Sequence, residues 1–576
     1  MNPQNTSNTP VDGVLQGNNP KLQTVKYTNH LPEGKLGDYK QNERVDFMPD
    51  PSTSPYFDGK QSYLHIKVTN DSTWTTNAAA GVAPPLCFPA NVGVNAIINR
   101  CVVRARDNSQ VIEDIEAYNQ VTGIKNAYTH DSDIFKTLGR ISGVTGRSPN
   151  GMNQGIGDLS VNYFLPNGAT DGTTRNLSGG TEAASATFCV PIESGLMSAF
   201  SDQHHVVPNL DIPLHIQFFL ERNNVALQTM YSHFNHAVTV NGTVCVNKYA
   251  KDPFLDHACT VTTNEVLLSA AVCDTTIAID GELMAGKDCA FRIGFPLALG
   301  TDILQITNVE MDQGGSSNQI KLTLSATPND PGAITTCKLA ACNRSYNIDT
   351  IELKTLLTIP DQPTMRMIRA QVQKGISFTS VQLYKSSSAE GLRNAVIEIP
   401  EALTRAQSIL CVPCQQNFLE SLDLLNSYIY CRPDARVPPT GTGALSDNEV
   451  GYQWQIQNVL IPNLAVQTNT ATNNNSDNAI YFNQQVMALR HLIKVTALGD
   501  NPQVVKEEDV DIDLPFFYPV SLTPKGQSFN IIDSAPQLRL NNSSTTAANI
   551  FAKLYHIHVI HTRILRSTDM GASISF

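Results

Sequence analysis

The chain has 576 residues, and its 40 lysines and arginines against 52 aspartates and glutamates give a formal net charge of −12. Charged residues make up 16% of the sequence and apolar residues 41%, which excludes a disordered chain and allows a sizeable core. The negative charge argues against a protein whose main task is to hold nucleic acid phosphates. At roughly 100 to 200 residues per domain, the length predicts three or four domains, or two unusually large ones.

The sequence shows no signal peptide pattern and no run of about 18 apolar residues, so neither a cleaved leader nor a membrane span is predicted. We therefore expect the protein to be made and folded in the cytosol of the cell. The twelve cysteines are expected to stay reduced, and most of them to be buried as small apolar side chains.

The N-terminal segment, residues 1–57, lacks hydrophobic periodicity and is rich in Asn, Pro, Gly, Thr and Asp. Five basic residues stand against six acidic ones, so the segment is close to neutral. The pattern favours an extended arm, with a disordered leader as the alternative. Its charge differs from that of the basic arms with which many small capsid proteins hold their genome.

Alternating apolar and polar residues begin near residue 61 and predict short strands. The clearest candidates are residues 63–68, 101–106 and 214–221. In the last of these, Leu214, Ile216, Phe218 and Leu220 share one face, as in a strand with one face on a core.

Helices are predicted to be few and short. Apolar residues recur at helical spacing in 110–128, 420–430 and 483–494. Strands and loops rich in Gly, Pro and Asn account for the rest, which predicts an all-β protein.

Two β-rich stretches divide the chain, 58–365 and 366–576. The first is longer, and an insertion over 236–345 is predicted between the strand 214–221 and the next clear strand, Ile348–Leu357. Six of the twelve cysteines lie in this insertion. No fixed-period repeat is visible, which argues against a solenoid or a propeller.

Several short motifs could carry chemistry, and each has a simpler interpretation. Gly281–Asp288 matches G-x4-G-K, but Asp288 replaces the Ser or Thr that binds magnesium, and a strand rather than a helix is predicted to follow. Cys411 and Cys414 have C-x2-C spacing without a second pair, which favours two small residues in a strand or turn.

The histidines and acidic residues allow metal sites only under further conditions. His556, His558 and His561 could point to one side of a strand, but an ordinary strand is favoured because Tyr555, Ile557 and Val559 alternate with them. The same applies to His204–His205. Asp509, Asp511 and Asp513 could bind calcium at a subunit contact, although a solvated acidic face is favoured. The insertion cysteines, Cys337 and Cys342 among them, could bind metal if they converged.

No catalytic motif is present, so no catalytic, cofactor-binding or metal-binding residue is predicted, and the protein is not expected to be an enzyme.

Two segments resemble a known family. Val94–Asn119 contains an alternating strand with basic residues, a polar turn and the run V-I-E-D-I-E-A-Y-N. Phe188–Leu196 reads F-C-V-P-I-E-S-G-L, and Val207–Leu220 follows as a Pro-bounded alternating strand. These segments resemble double jelly-roll major capsid proteins of the adenovirus and tectivirus lineage, and are most similar to those of Polinton-like viruses and virophages.

The resemblance implies two eight-stranded jelly rolls side by side in one chain, with residues 236–345 projecting outward as a tower. It further implies that three chains form a pseudo-hexagonal capsomer in the icosahedral shell of a double-stranded DNA virus. The implied partners are other copies of the chain, neighbouring capsomers, and penton and minor capsid proteins, without sequence-specific nucleic acid binding. The arm 1–57 and the tail Ser567–Phe576 would connect neighbouring capsomers or an inner layer.

Two alternatives remain open at this point. A carbohydrate-binding viral spike or fibre protein with a jelly-roll head would form a soluble oligomer without closed shells. A bicupin-type metalloenzyme would place converging His and Glu residues, with a bound metal, inside a barrel.

Overall fold

A computed structural model of the chain defines the fold. It describes these residues: 24–74, 86–88, 92–129, 141–143, 164–165, 185–200, 206–229, 238–240, 243–245, 256–268, 296–310, 320–340, 342–389, 392, 394–399, 403–415, 449–467, 476–492, 517–523, 528–532, 535–542, 553–568 and 571–575.

Strands dominate throughout these residues. Up to the insertion they are β1 (Thr24–His30), β2 (Arg44–Phe47), β3 (Phe57–Asn70), β4 (Thr73–Trp74), β5 (Leu86–Cys87), β6 (Ile98–Ala105), β7 (Val111–Glu116), β8 (Phe164–Leu165), β9 (Ser185–Pro191), β10 (Val206–Val207), β11 (Leu214–Leu220) and β12 (Gln228–Thr229). The insertion and the strand that follows it contain β13 (Val238–Val240), β14 (Thr243–Cys245), β15 (His257–Thr262), β16 (Glu265–Leu268), β17 (Pro296–Leu299), β18 (Asp302–Glu310), β19 (Lys321–Leu324), β20 (Thr336–Leu339), β21 (Cys342–Asn343) and β22 (Tyr346–Ile359).

The second half of the chain repeats this β-rich character. Its strands are β23 (Ile376–Ser388), β24 (Asn394–Glu398), β25 (Ala406–Gln415), β26 (Glu449–Ile456), β27 (Val459–Gln467), β28 (Tyr518–Ser521), β29 (Gln537–Asn542), β30 (Lys553–Thr568) and β31 (Gly571–Ser575). The α-helices within the described residues are α1 (Tyr118–Thr129), α2 (Asn223–Ala226), α3 (Gln362–Lys374) and α4 (Ser476–Leu489). None of these helices has the length and apolar character needed to span a membrane.

Nine strands of the first half form two sheets. One sheet has the order β1-β22-β3, with β9 and β10 pairing on the far side of β3, and the other has the order β2-β11-β6-β7. The two-residue strand β10 is left out of the numbering, and the other eight strands are numbered along the chain from β1 to β22. The first sheet then has the order one, eight, three, six, and the second has the order two, seven, four, five. This order is that of a jelly roll, a double-sheet closure that leaves few open edges.

The second half repeats the same order. Its sheets are β23-β30-β25-β28 and β24-β29-β26-β27, which again give one, eight, three, six and two, seven, four, five. A separate buried cluster fills the space between these sheets and includes Trp454, Tyr518 and Ile557. The prediction of an all-β protein with two eight-stranded jelly rolls and a few short helices is therefore confirmed.

A closed barrel of six strands lies between the two last strands of the first roll. Its order is β15-β16-β19-β18-β17-β20, and it has its own core, in which Val266, Leu297 and Leu322 are fully buried. The barrel falls within the predicted insertion 236–345, between β11 and β22.

The predicted arm needs correction, because β1 and β2 lie inside residues 1–57. β1 pairs with β22 in an unbroken register from Thr24 opposite Ile359 to His30 opposite Leu353, and β2 pairs with β11. As an edge strand β1 leaves much of its surface in solvent, with Tyr27 half exposed, so its sequence lacks the alternation that marks an inner strand.

The predicted helix over 110–128 is correct only in its second part. Val111–Glu116 forms β7, and α1 begins at Tyr118 after Ala117, which turns the chain with a φ of 48°. Ile112 and Glu113 are adjacent and both fully buried, so both faces of β7 are covered and the alternation of a half-buried strand is lost. The helix predicted at 483–494 is α4, which begins earlier, at Ser476. The helix predicted at 420–430 lies outside the described residues.

Removing β1 tests the correction of the arm. A chain that starts at residue 32 loses seven residues of pairing with β22, so its first roll should unfold at a lower temperature than that of the full chain. A chain that starts at residue 23 keeps every described contact and should match the full chain. Thermal unfolding followed by circular dichroism measures both, and equal midpoints for all three chains would contradict the role of β1.

Candidate functional site at the joint between the rolls

The first sheet of the second roll is buried on both of its faces. Along β25, Ile409 and Cys411 enter the core of the second roll, whereas Leu410 and Val412 enter the cluster that also forms the core of the first roll. Because neighbouring residues of a strand point to opposite faces, the outer face of this sheet packs against the first roll. This contact is the joint between the rolls.

The connection between the rolls belongs to the joint. Helix α3 follows β22 directly and ends just before β23. Its start is capped by the Asp361 carboxylate, which accepts a hydrogen bond of 3.0 Å from the backbone N–H of Thr364. Ile368 and Val372 of this helix are buried in the shared cluster. The link between the rolls is therefore a packed helix.

Glu113 of β7 lies at the centre of the joint with no exposed surface. Its carboxylate accepts hydrogen bonds from the Ser194 hydroxyl, from the backbone N–H of Gly195 at 3.0 Å and from that of Leu196 at 3.3 Å. Burial raises the pKa of Glu113, while the hydrogen bond from Ser194 and the charge of Arg563 act in the opposite direction. Arg563 belongs to β30 of the second roll, so the carboxylate interacts with both rolls.

The two sequence segments that resemble the capsid family meet at this carboxylate. Glu113 comes from the V-I-E-D-I-E run, and Ser194 and Gly195 come from the F-C-V-P-I-E-S-G-L segment. Gly195 also lies so close to the second roll that a Cβ atom there would collide with the carbonyl oxygen of Thr379. The glycine is needed for the close approach of the two rolls.

Arg563 of β30 contributes a buried cation to the joint. Its Nη1 donates to the carbonyl oxygen of Ile112 at 2.8 Å, and its Nε donates to Nε2 of His561 at 2.9 Å. Burial lowers the pKa of Arg563, but the nearby charge of Glu113 opposes that effect. Since His561 accepts at Nε2, its Nδ1 carries the proton and donates to the carbonyl oxygen of Val559 at 3.2 Å.

His556 and His558 meet one residue of the first roll, Gln120 of α1. The Gln120 side-chain oxygen lies 3.2 Å from Nδ1 of His556 and 2.6 Å from Nε2 of His558. Because that oxygen only accepts, each ring donates to it. Burial lowers the pKa of His556 far below its ordinary value and that of His558 to about 3. Burial and the neighbouring Arg563 likewise lower the pKa of His561 to about 3.

At its border the joint becomes more exposed and its charges are complementary. Nζ of Lys385 in β23 lies 3.8 Å from Oε2 of Glu116 in β7, and both side chains are partly in solvent. Asn108, in the turn before β7, donates to the carbonyl oxygen of Ala572 in β31 at 2.8 Å. The acidic strand β7 therefore faces basic residues of the second roll.

The cysteine motifs lie in strands. Cys411 is buried in β25, within the C-x2-C segment 411–414. In the inserted barrel, Cys259 and Cys337 are both buried. The neighbouring Cys259 thiol and burial raise the pKa of Cys337. Both are free thiols.

Other sequence candidates lie outside the described residues: Gly281–Asp288, His204–His205 and the three aspartates Asp509, Asp511 and Asp513. Among the residues that the structure does describe, no group of three or more His, Cys, Asp or Glu side chains has the arrangement of a metal site.

Sequence reasoning overlooked Glu113 and Gln120. One signal was available for Glu113, since it directly follows Ile112 in a short strand and must be buried if both faces of that strand are covered. Gln120 carried no signal, because a glutamine near a helix start is usually in solvent. The joint buries its ionisable groups with hydrogen-bonding partners and leaves Glu113, His558 and Arg563 almost no exposed surface. It is built to hold two rolls together.

No protein-family model matches the chain, and no curated protein sequence does. Among solved structures, the Faustovirus major capsid protein is similar at 10% identity and a TM-score of 0.47, over 94% of this chain and 90% of that one. The PBCV-1 VP54 structure fitted into a reconstruction of the virophage Sputnik is similar at 9% identity and a TM-score of 0.44, over 96% of each chain. The mavirus major capsid protein is similar at 8% identity and a TM-score of 0.35, over 96% of this chain and 90% of that one. At these values the likeness carries no argument about function, and the fold assignment depends on the strand order itself.

Substitution of Glu113 tests the joint. Glu113→Ala leaves the buried Arg563 without its nearby carboxylate and the N–H of Gly195 without an acceptor, so the free energy of unfolding should fall by about 3–5 kcal/mol. Glu116→Ala is the matched control from the same strand. Its partly exposed ion pair should contribute less than about 1 kcal/mol. Denaturant unfolding of both variants measures the difference, and similar losses would contradict the importance of Glu113.

Acid should weaken the joint through its histidines. The unfolded chain takes up protons on histidine below about pH 6.5, whereas His558 in the folded chain stays neutral until about pH 3, so stability falls as the pH decreases between these values. At about pH 4.5 the loss from His558 alone is about 2–3 kcal/mol. Glu113 acts in the opposite direction, because its raised pKa favours the protonated folded state.

His558→Gln removes the titrating ring and keeps a side-chain donor for Gln120. Both proteins should lose stability between pH 7 and about pH 4.5, but the loss of the variant should be smaller by about 2–3 kcal/mol, since all other titrating groups are common to both. Thermal unfolding at a series of pH values measures how the stability of each protein changes with pH. The same change with pH in both proteins would show that His558 titrates normally in the folded protein.

Proposed function

We propose that this protein is the major capsid protein of a double-stranded DNA virus, a structural component of the virion rather than an enzyme. The observation that carries the proposal is the repetition of one jelly-roll strand order in two halves of a chain, joined through a buried contact. A catalytic role would need a side chain open to a substrate, whereas the polar groups of the joint serve its packing.

The two rolls explain how such a chain could form a hexagonal building block. Each chain contributes two lobes of the same topology, so three chains around an axis present six similar lobes. Six lobes tile a surface with hexagonal neighbours, although the true symmetry is threefold. The proposal therefore includes a homotrimeric capsomer that repeats in an icosahedral shell, in which individually weak contacts gain strength by repetition.

Two further parts of the chain receive roles in this proposal. The inserted barrel, with its separate core, is a self-contained lobe between β11 and β22 and would form the outward tower. Residues 1–22 would connect neighbouring capsomers or bind penton and minor capsid proteins. The predicted tail, Ser567–Phe576, is not free for this role, because most of it belongs to β30 and β31, which pair within the second roll. The net charge of −12 suits a shell protein whose contact with the genome is weak or indirect.

Light scattering after size-exclusion chromatography and negative-stain electron microscopy test the proposal. We expect a particle of about 190 kDa, three times the 62.8 kDa of one chain, with a hexagonal outline in projection. Concentrated samples should form sheets or closed shells. A stable monomer would overturn the proposal, and a glycan-binding oligomer that never forms a lattice would favour the spike or fibre alternative.

A further inference from the structure

The two rolls differ in how much of their first sheet is covered. In the second roll the outer face of this sheet is buried against the first roll, through Leu410 and Val412. In the first roll the matching face is open. Tyr63 and His65 of β3 are partly exposed on it, and Tyr27 of β1 is 50% exposed.

Strand β7 of the first roll covers the second roll, and its counterpart in the second roll, β27, covers no described sheet. The joint uses β7, the fifth strand of the first roll, at the edge of its second sheet. The fifth strand of the second roll is β27, at the same edge of its own second sheet. Within the described part of the chain this strand contacts β26 and α4 and leaves two apolar side chains in solvent, with Val459 57% and Leu464 83% exposed. Exposed apolar side chains on an edge strand mark a contact surface.

We propose that the outer face of the first sheet of the first roll, around Tyr27 and Tyr63, is the docking surface for β27 of a second copy of this chain. The contact between chains would repeat the arrangement that joins the two rolls within one chain. This inference deepens the proposed function, on which it rests, by naming the surfaces that hold the trimer together.

The charges of the two faces match this pairing. Residues 459–467 of β27 contain no charged side chain. On the open face, Nζ of Lys354 lies 2.8 Å from Oε2 of Glu352. Nζ of Lys67 lies 3.6 Å from Oδ2 of Asp349, so these charges are already paired within the face. A neutral strand can dock there without leaving a charge unpaired.

Aromatic rings supply apolar area on the open face. The rings of Tyr27 and Tyr63 lie edge to face, with their centres 5.6 Å apart, on the solvent side of the sheet. Tyr27 is half exposed and Tyr63 is partly exposed. Such tyrosines are typical anchors of a protein contact, because they bury a large area for little loss of side-chain freedom. Val459 and Leu464 are apolar side chains suited to pack against them.

The charge pattern also prevents exchange of the two contacts. β7 carries three acidic residues, and the face it covers offers Arg563 and Lys385. If the neutral β27 took that place, Arg563 would stay buried without its nearby carboxylate. The intrachain joint is therefore selected by charge, and the contact between chains by apolar area.

The contact joins two different surfaces, so it runs head to tail. Each chain offers one open face and one free β27. A ring closes when the last β27 reaches the first open face, and three chains then contribute six rolls.

Substitutions on β27 test this docking surface, and the chain offers a matched control. Val459→Asp and Leu464→Asp place a charge in the proposed contact. Val396→Asp places one on β24, at the opposite edge of the same sheet, where Val396 is 56% exposed. We expect the two β27 variants to dissociate at protein concentrations at least about tenfold higher than the unsubstituted trimer does. Val396→Asp should remain trimeric, and circular dichroism checks that all variants are folded.

Mixing two variants tests the direction of the contact. Tyr27→Asp damages the open face and keeps β27 intact, whereas Val459→Asp does the reverse. At a concentration at which each variant alone is dissociated to monomers, a mixture should give dimers through the one intact pair of surfaces, and no trimers. A mixture that stays monomeric would overturn head-to-tail pairing.

The outcomes separate this inference from the proposed function. If the unsubstituted protein is a monomer, the proposed function fails, and the docking surface fails with it. If trimers form and persist unchanged in Val459→Asp and Leu464→Asp, or if Val396→Asp dissociates equally, only the docking surface is wrong.

Discussion

The buried carboxylate of Glu113 is the interaction on which the arrangement of the two rolls depends. A carboxylate without solvent needs several donors, and the first roll supplies them through Ser194 and the N–H groups of Gly195 and Leu196, while the second roll places the charge of Arg563 nearby. Arg563 also donates across the joint to the carbonyl oxygen of Ile112, and a shift of either roll would leave these buried polar groups without partners. The apolar cluster supplies most of the buried area, and the polar groups give it one geometry.

This constraint holds the two lobes in one arrangement, which would suit the proposed assembly of a shell. A flexible pair of rolls would lose conformational entropy at every contact it formed, whereas rolls already fixed relative to each other lose little. The joint is also the model for the contact proposed between chains. Within the chain an acidic strand meets basic residues, and between chains a neutral apolar strand meets a face whose charges are already paired, so each surface has one suitable partner.

Much of the fold could be predicted from sequence. The alternation of β3, β6, β11 and β22 was clear, since each of these strands faces a core on one side. Two strands, β1 and β7, were not predicted from alternation, each for an identifiable reason. β1 is an edge strand with much of its length in solvent, and it was assigned to an extended arm. β7 is covered on both faces, which removed its alternation and made apolar spacing resemble that of a helix. Of the joint, the sequence showed both segments that compose it, V-I-E-D-I-E and I-E-S-G-L, but nothing in either indicated that they touch.

The sequence by itself determined the class of the protein: an all-β chain with two β-rich halves, an insertion in the first and a weakly charged, acidic composition. These properties follow from local periodicity and composition, which each segment carries alone. Only the tertiary structure decided which groups are buried and with whom. Glu113 and Ser194 are 81 positions apart, and Gln120 and His558 are 438 apart, so their pairing depends on how two sheets pack. The same packing covers one outer sheet face and leaves its counterpart open, a difference that no local pattern in the two halves contains.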